Sequence, residues 1–260
     1  MDQEIYLDRK TFFHKLDPRT KIVILLTAFV LILYFENPLW VLPLTLIILL
    51  HGYFSESLAN LKRIRFIMII LTISSMILWS FFANGETPFV WVVELEAFQF
   101  AMARTMVMLS LITEGMIFLS TTRTEEFVLG MIRFGLPYRV GFAISTAFRM
   151  VPTIVSNVFI IAQAQRSRGL DLDSGNLLQR IRKYIPLLIP VFVSTIRNTN
   201  VFGMALEAKG FGAQNDRTNF YSSEFGKGDY VVMAVVGVLF AVTTYLKILG
   251  FGGIPGLTKF

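Results

Sequence analysis

The sequence predicts an all-α integral membrane protein: about five transmembrane helices plus a cytoplasmic coupling domain of three amphipathic helices. Three observations lead there. The chain of 260 residues is 54% hydrophobic and 16% charged, against about 25% charged in soluble domains, and its mean hydropathy is +0.62. Its apolar residues come in long runs separated by short polar connectors. Its net charge of +6 is gathered in particular loops, as the positive-inside rule requires, so the basic balance indicates membrane orientation and not nucleic acid.

Leu16-Asp17-Pro18-Arg19-Thr20-Lys21 opens the first helix, with Asp17 as N-cap and Pro18 at the first helical position. Met1 to Lys21 is polar and charged, which predicts no cleaved signal peptide, and its cations hold this end on the cytoplasmic side. The first span is Ile22 to Phe35. Glu36-Asn37-Pro38 turns the chain, and Leu39 to Phe54 returns. Both runs are short for a bilayer crossing, so a shallow hairpin is the alternative unless the first helix extends back to Pro18. Lys62, Arg63 and Arg65 mark a second cytoplasmic loop, and Phe66 to Ala83 is the third span. Asn84 to Glu96 carries carboxylates and no cation, and faces outward. Phe98 to Thr121 is the fourth span, with Arg104 near its outer end and Glu114 nearer the inside, wetted or paired. These elements make a first region, residues 1–120.

Composition changes at Thr121. From Arg123 to Lys227 the chain gathers about half of its cations yet keeps long apolar stretches. Thr124 to Phe134 is a short helix broken by Gly135-Leu136-Pro137. Val140 to Ala164 and Tyr184 to Ala205 are interrupted by Arg149, Pro152 and Asn157, and by Pro186, Pro190, Arg197, Asn198 and Asn200. That pattern suits helices lying at the cytoplasmic interface and defines a coupling domain, residues 121–227. Asp171 to Gln179 and Gln214 to Asp229 are polar connectors. Tyr230 to Leu249 is the last span, within residues 228–260. Gly141 and Ser145, with Ala143 and Ala147 one register along, follow the small-xxx-small spacing that lets helices approach closely or slide, and ordinary packing within the chain is the alternative use of it.

One motif occurs twice. Ala164-Gln165-Arg166-Ser167-Arg168-Gly169-Leu170 recurs as Ala205-Leu206-Glu207-Ala208-Lys209-Gly210-Phe211. A glycine after a cation is what a helix C-terminus asks for, so each copy alone reads as a cap. Two copies of the same order, small residue, cation, glycine, apolar residue, read as two plugs for a partner that presents two equivalent grooves.

Catalytic signals are sparse. There is no cysteine, His14 and His51 lack metal-ligand spacing, and no P-loop exists, Gly226-Lys227-Gly228 being the nearest string. No cofactor is expected. A rival reading is a polytopic enzyme acting on lipid or isoprenoid substrates, with Glu114, Asp171 and Asp173 as acid or metal residues. Asp171-Leu172-Asp173 is a pair that polar loops often produce.

Leu16 to Lys21, Thr122-Arg123-Thr124-Glu125-Glu126, the Gly135-Leu136-Pro137 break, Arg149-Met150-Val151-Pro152 and the paired signatures together resemble the transmembrane T component of energy-coupling factor transporters. That group includes the cobalt and biotin transporter membrane subunits, and the likeness runs over nearly the whole chain. It implies a multi-pass protein of a bacterial or archaeal cell membrane within a four-part machine for vitamin or Co/Ni ion uptake. The expected partners are two ATP-binding-cassette ATPases, of the A and A′ types, and a substrate-binding S component, in a lipid bilayer. In similar proteins the signature cations insert into grooves on the ATPases, which by matching positions assigns Ser167, Arg168 and Gly169, and Ala208, Lys209 and Gly210, to ATPase coupling. Gly141, Ala143, Ser145 and Ala147 are expected to face the S component. Ser167 replaces the usual alanine, and Lys209 the usual arginine, which keeps the charge but loses the planar fork.

Overall fold

A computed structural model describes residues 6–9, 11–83, 88–90, 93–170, 176–213 and 225–255. Eight α-helices dominate them: α1 Pro18–Ile32, α2 Pro38–Phe54, α3 Leu58–Phe82, α4 Leu95–Thr121, α5 Thr124–Arg133, α6 Tyr138–Ser167, α7 Leu177–Ala208 and α8 Lys227–Ile248. A 3₁₀ turn over Phe13–Lys15 precedes them, and a short antiparallel ribbon, β1 Pro88–Val90 with β2 Val93–Glu94, lies between α3 and α4. The all-α class holds, with that ribbon as a small addition. Two compact units emerge: residues 1–136 with 223–260, and residues 137–222.

In the first unit the helix starts follow from local chemistry. Asp17 Oδ1 accepts from Arg19 N (2.8 Å) and Asn37 Oδ1 from Leu39 N (3.0 Å), each followed by a proline at the first helical position, where a missing N–H costs nothing. Small and hydroxyl-bearing residues let α4 take the central place. Ala97, Ala101 and Ala103 are buried on it, Thr105 Oγ1 donates to Ser75 Oγ of α3 (3.0 Å), and Ser110 Oγ donates to Thr45 Oγ1 of α2 (3.0 Å). Such hydroxyls join helices where lipid offers no hydrogen bonds. Ile32, Phe35, Val41, Ile48, Ala103, Val107 and Ile117 form the apolar centre. The outward faces of α3 and α8 are apolar and bare, Phe66 being 71% and Ile248 77% exposed, far beyond what a water-soluble surface tolerates.

Lys21 is the polar keystone of this unit. It is 5% exposed, and its Nζ donates to His14 O (2.9 Å), Thr121 O (2.8 Å) and Glu126 Oε2 (3.0 Å). One ammonium thus joins the 3₁₀ turn, α1, the end of α4 and α5. Nearby, Asp17 N donates to Asp229 Oδ1 of α8 (2.8 Å), and Gly226 N donates to Asp229 Oδ2 (2.9 Å). After α8 the chain crosses back, Gly252 O accepting from Glu36 N (2.9 Å) and Asn37 N (3.1 Å).

The second unit is α6 and α7 running antiparallel. Phe211, just after α7, meets Tyr138 and Phe142 at the start of α6, with ring centroids 6.5 and 4.4 Å apart. At the other end Gln165 of α6 reaches Pro186 of α7. Little is buried; Gly141 is the buried residue of α6.

Several boundaries differ from expectation. α1 does reach back to Pro18 but stops at Ile32. α3 starts at Leu58, so Lys62, Arg63 and Arg65 lie on a helix and not in a loop. α5, grouped by composition with the two helices after it, packs in the first unit. Five helices are long and apolar enough to cross a membrane, but they are α3, α4, α6, α8 and the part of α7 from Ile181. At 15 and 17 residues, α1 and α2 fall short. α6 and α7 qualify although Arg149 lies within the first and Arg197 within the second, because the apolar residues around each keep the mean hydropathy at 1.5 and 1.2.

Candidate functional site

Both copies of the repeated motif close their helices with the same hydrogen bonds. At the end of α6, Gly169 N donates to Arg166 O (2.9 Å) and Leu170 N to Gln165 O (3.0 Å). At the end of α7, Gly210 N donates to Glu207 O (2.9 Å) and Phe211 N to Leu206 O (2.9 Å). The glycines have φ +88 and +73. This is the Schellman cap, in which a left-handed residue after the helix satisfies two orphan carbonyls.

The fold contains its own control. α5 ends with Gly135 N on Ile132 O and Leu136 N on Met131 O, and α8 with Gly250 N on Lys247 O and Phe251 N on Leu246 O. Both are the same cap, glycine followed by a bulky apolar residue. Capping therefore accounts for the glycine and the residue after it in every case. The residue before the glycine is where the four differ: Phe134 and Leu249 in α5 and α8, Arg168 and Lys209 in α6 and α7. In α6 the helix dipole does not demand a cation there either, because Arg166 already sits in its last turn, whereas α7 has no cation in its last turn before Lys209.

Ser167, Arg168, Gly169, Ala208, Lys209 and Gly210 are all exposed. Neither Arg168 nor Lys209 makes an ion pair with a described residue, whereas Arg19, Lys21, His51, Arg104 and Arg123 are paired within the first unit. The two tips are not neighbours. Phe211 sits against Phe142, so the rise of α6 from Phe142 to Arg168 places the tips about 40 Å apart. A single compact ligand cannot touch both.

The small residues of α6 separate into two faces. Two residues along a helix turn about 200°, so Gly141 and Ser145 lie nearly opposite Ala143 and Ala147. Gly141 is buried and Ser145 half-buried, while Ala143 and Ala147 are exposed. The four do not form one surface.

Glu114 is 1% exposed, with Oε2 3.2 Å from His51 Nδ1; of the two expectations, paired holds. The pair edges an apolar groove of 280 Å³ lined by α1, α2 and α8. Asp171 and Asp173 lie outside the described residues. The structure also joins the two polar motifs of the first unit, Leu16 to Lys21 and Thr122 to Glu126, through the Lys21–Glu126 pair. Their charge pattern could have suggested that link. Nothing in the sequence signals the contacts of Gln165 and Phe211, which require the antiparallel pairing of α6 with α7.

A model of the cobalt transport protein family matches residues 9–220. The chain is 27% identical to the energy-coupling factor transporter transmembrane protein EcfT of Streptococcus thermophilus, over 93% of this chain and 97% of that protein. It is 29% identical to the protein of that name from Clostridium kluyveri, over 94% and 95%, and 29% identical to that from Bacillus selenitireducens, over 91% and 92%. Matched along most of its length and built of bare apolar helices, the chain belongs to the cobalt transport protein family, among the transmembrane components of energy-coupling factor transporters.

Proposed function

We propose that this transporter subunit is the coupling element of an uptake machine for a vitamin or a Co/Ni ion. It passes ATP-driven motion from two ATPases to a substrate-binding S component. The observation that carries this reading is the pair of exposed cations, Arg168 and Lys209, set on identical caps where the caps of α5 and α8 carry Phe134 and Leu249. A cation that pairs with no described residue of its own fold is available to a partner. Tips about 40 Å apart, as the helix rise requires, suit two separate ATPases of the A and A′ types. Positive-inside topology assigns the N-terminus, α6 and α7 to the cytoplasmic side, with the latter two at the membrane interface.

When ATP draws the two ATPases together, each carries one tip with it, and α6 and α7 shift against one another. The S component rests on them and turns. Ala143 and Ala147 supply the small, exposed face of α6 that a second protein can approach closely. ATP hydrolysis belongs to the partners, and the subunit itself performs no chemical step.

Buried cation anchors cost about 2 kcal/mol or more on truncation, so Arg168→Ala combined with Lys209→Ala is expected to abolish uptake and ATPase co-purification while the protein still inserts. Normal co-purification and uptake by that double variant would overturn the reading. Substituting Glu114, Asp171 and Asp173 together leaves a coupling subunit largely working, and would silence an enzyme.

A further inference from the structure

Proline leaves a helix with an orphan. Pro190 of α7 has no N–H, so the carbonyl of Pro186, four residues earlier, loses its α-helical donor. Gln165 Nε2 lies 3.5 Å from Pro186 O and donates to it, a long hydrogen bond. The backbone of Gln165 is engaged as well: its carbonyl accepts from Arg168 N (3.1 Å) and Leu170 N (3.0 Å), the cap that holds the first basic tip. One residue therefore joins the tip of α6 to the proline-interrupted stretch of α7, the place where that helix bends most easily.

The second motif has no such side chain. Leu206 occupies the equivalent position, and its carbonyl accepts from Lys209 N (3.2 Å) and Phe211 N (2.9 Å) in the same way. There the brace is aromatic, Phe211 against Phe142. Each tip is tied to the other helix, but among the described residues only the first is tied by a hydrogen bond to a backbone carbonyl that has lost its α-helical donor.

We infer that Gln165 is a positioning residue that transmits displacement of the Arg168 tip to α7 by donating to the carbonyl orphaned by Pro190. This rests on the proposed coupling role of the two helices. Movement of the tip carries the Gln165 amide with it. Pro186 O then follows, or loses its donor, and in either case the bend of α7 responds.

The test uses the full transporter, with both ATPases and the S component, in proteoliposomes. Gln165→Leu removes the donor, and is expected to lower substrate taken up per ATP hydrolysed about fivefold, the factor of one neutral hydrogen bond. ATPase co-purification stays unchanged, since both cations remain. Gln165→Lys, which keeps a donor at similar reach, restores most of the ratio, and Gln165→Glu does not. Pro190→Ala supplies the missing N–H, so in that background Gln165→Leu costs nothing further. Equal losses in both backgrounds, or wild-type coupling by Gln165→Leu, would defeat the inference. If Pro190→Ala alone stops uptake, the lysine and glutamate variants decide, and equal behaviour of the two defeats it. Failure of the coupling reading looks different: there the Arg168 and Lys209 variants keep their ATPases, whatever Gln165 does.

Discussion

The charged motifs of the two units use their cations in opposite ways. In the first, Lys21 is buried with three acceptors, Arg19 lies on Asp17 and 4.0 Å from the centre of the Phe225 ring, and Arg104 faces Glu36. In the second, Arg168 and Lys209 stand exposed on caps that are complete without them. Sequence motifs of equal prominence thus have different meanings. A cation in a motif speaks for a partner protein only when the fold has no internal use for it.

That contrast can be broken from either side, most severely at Lys21. Lys21→Ala strands two buried backbone carbonyls, at about 1–3 kcal/mol each, while the Glu126 carboxylate, one-third exposed, falls back on water. We expect loss of folded protein in detergent, read as yield of the monodisperse species. A variant that folds and melts like wild type would show that the node is not structural, and the contrast between the units would lose its basis.

Glycines offer a finer comparison, because the same backbone geometry occurs in both units with different surroundings. Gly252 has φ +91 and is buried, and a Cβ there would overlap the ring of Phe35. Gly169 has φ +88 with nothing within 4 Å of its would-be Cβ. Alanine at either site bears the left-handed penalty of about 1–2 kcal/mol. At Gly252 overpacking adds roughly 1–3 kcal/mol. Thermal unfolding of the two variants should place Gly252→Ala clearly lower; equal melting would mean that the Phe35 contact does not constrain the tail.

Much of this was legible beforehand for a physical reason. Asp17-Pro18 and Asn37-Pro38 are local signals, and both begin helices. Gly169 and Gly210 announced their caps, since only a residue tolerant of positive φ fits there. What escaped was long-range. Lys21 looked like one more topology-setting cation, because nothing along the chain shows that Thr121 O and Glu126 lie against it. Hydropathy alone does not say whether α6 and α7 cross the bilayer or lie against it, because an apolar window of sufficient length is the same in both settings. The donor for Pro186 O comes from another helix, and no local rule could name it.

The smallest effect concerns pH, and it belongs to the first unit alone. His14 sits in the 3₁₀ turn, 8% exposed, with Nδ1 2.7 Å from Thr11 Oγ1 and Nε2 without a hydrogen-bond partner. Burial first, and the Lys21 ammonium second, lower its pKa below the ordinary 6.5, outweighing the backbone groups of Leu7 and Ser120 and, least of the three, Glu126. The folded protein therefore holds this imidazole neutral, while the unfolded chain takes up a proton once pH falls through about 6.5. Stability is complete above that value and declines as pH drops from it towards the lowered folded value. His14→Gln removes the titration, so its melting temperature should fall less than that of wild type on acidification across that window. Every other titratable group is common to both proteins, so the difference between the two curves isolates His14. Parallel curves would mean that the folded imidazole takes up its proton as readily as the unfolded one, and that the Lys21 node tolerates a second positive charge beside it.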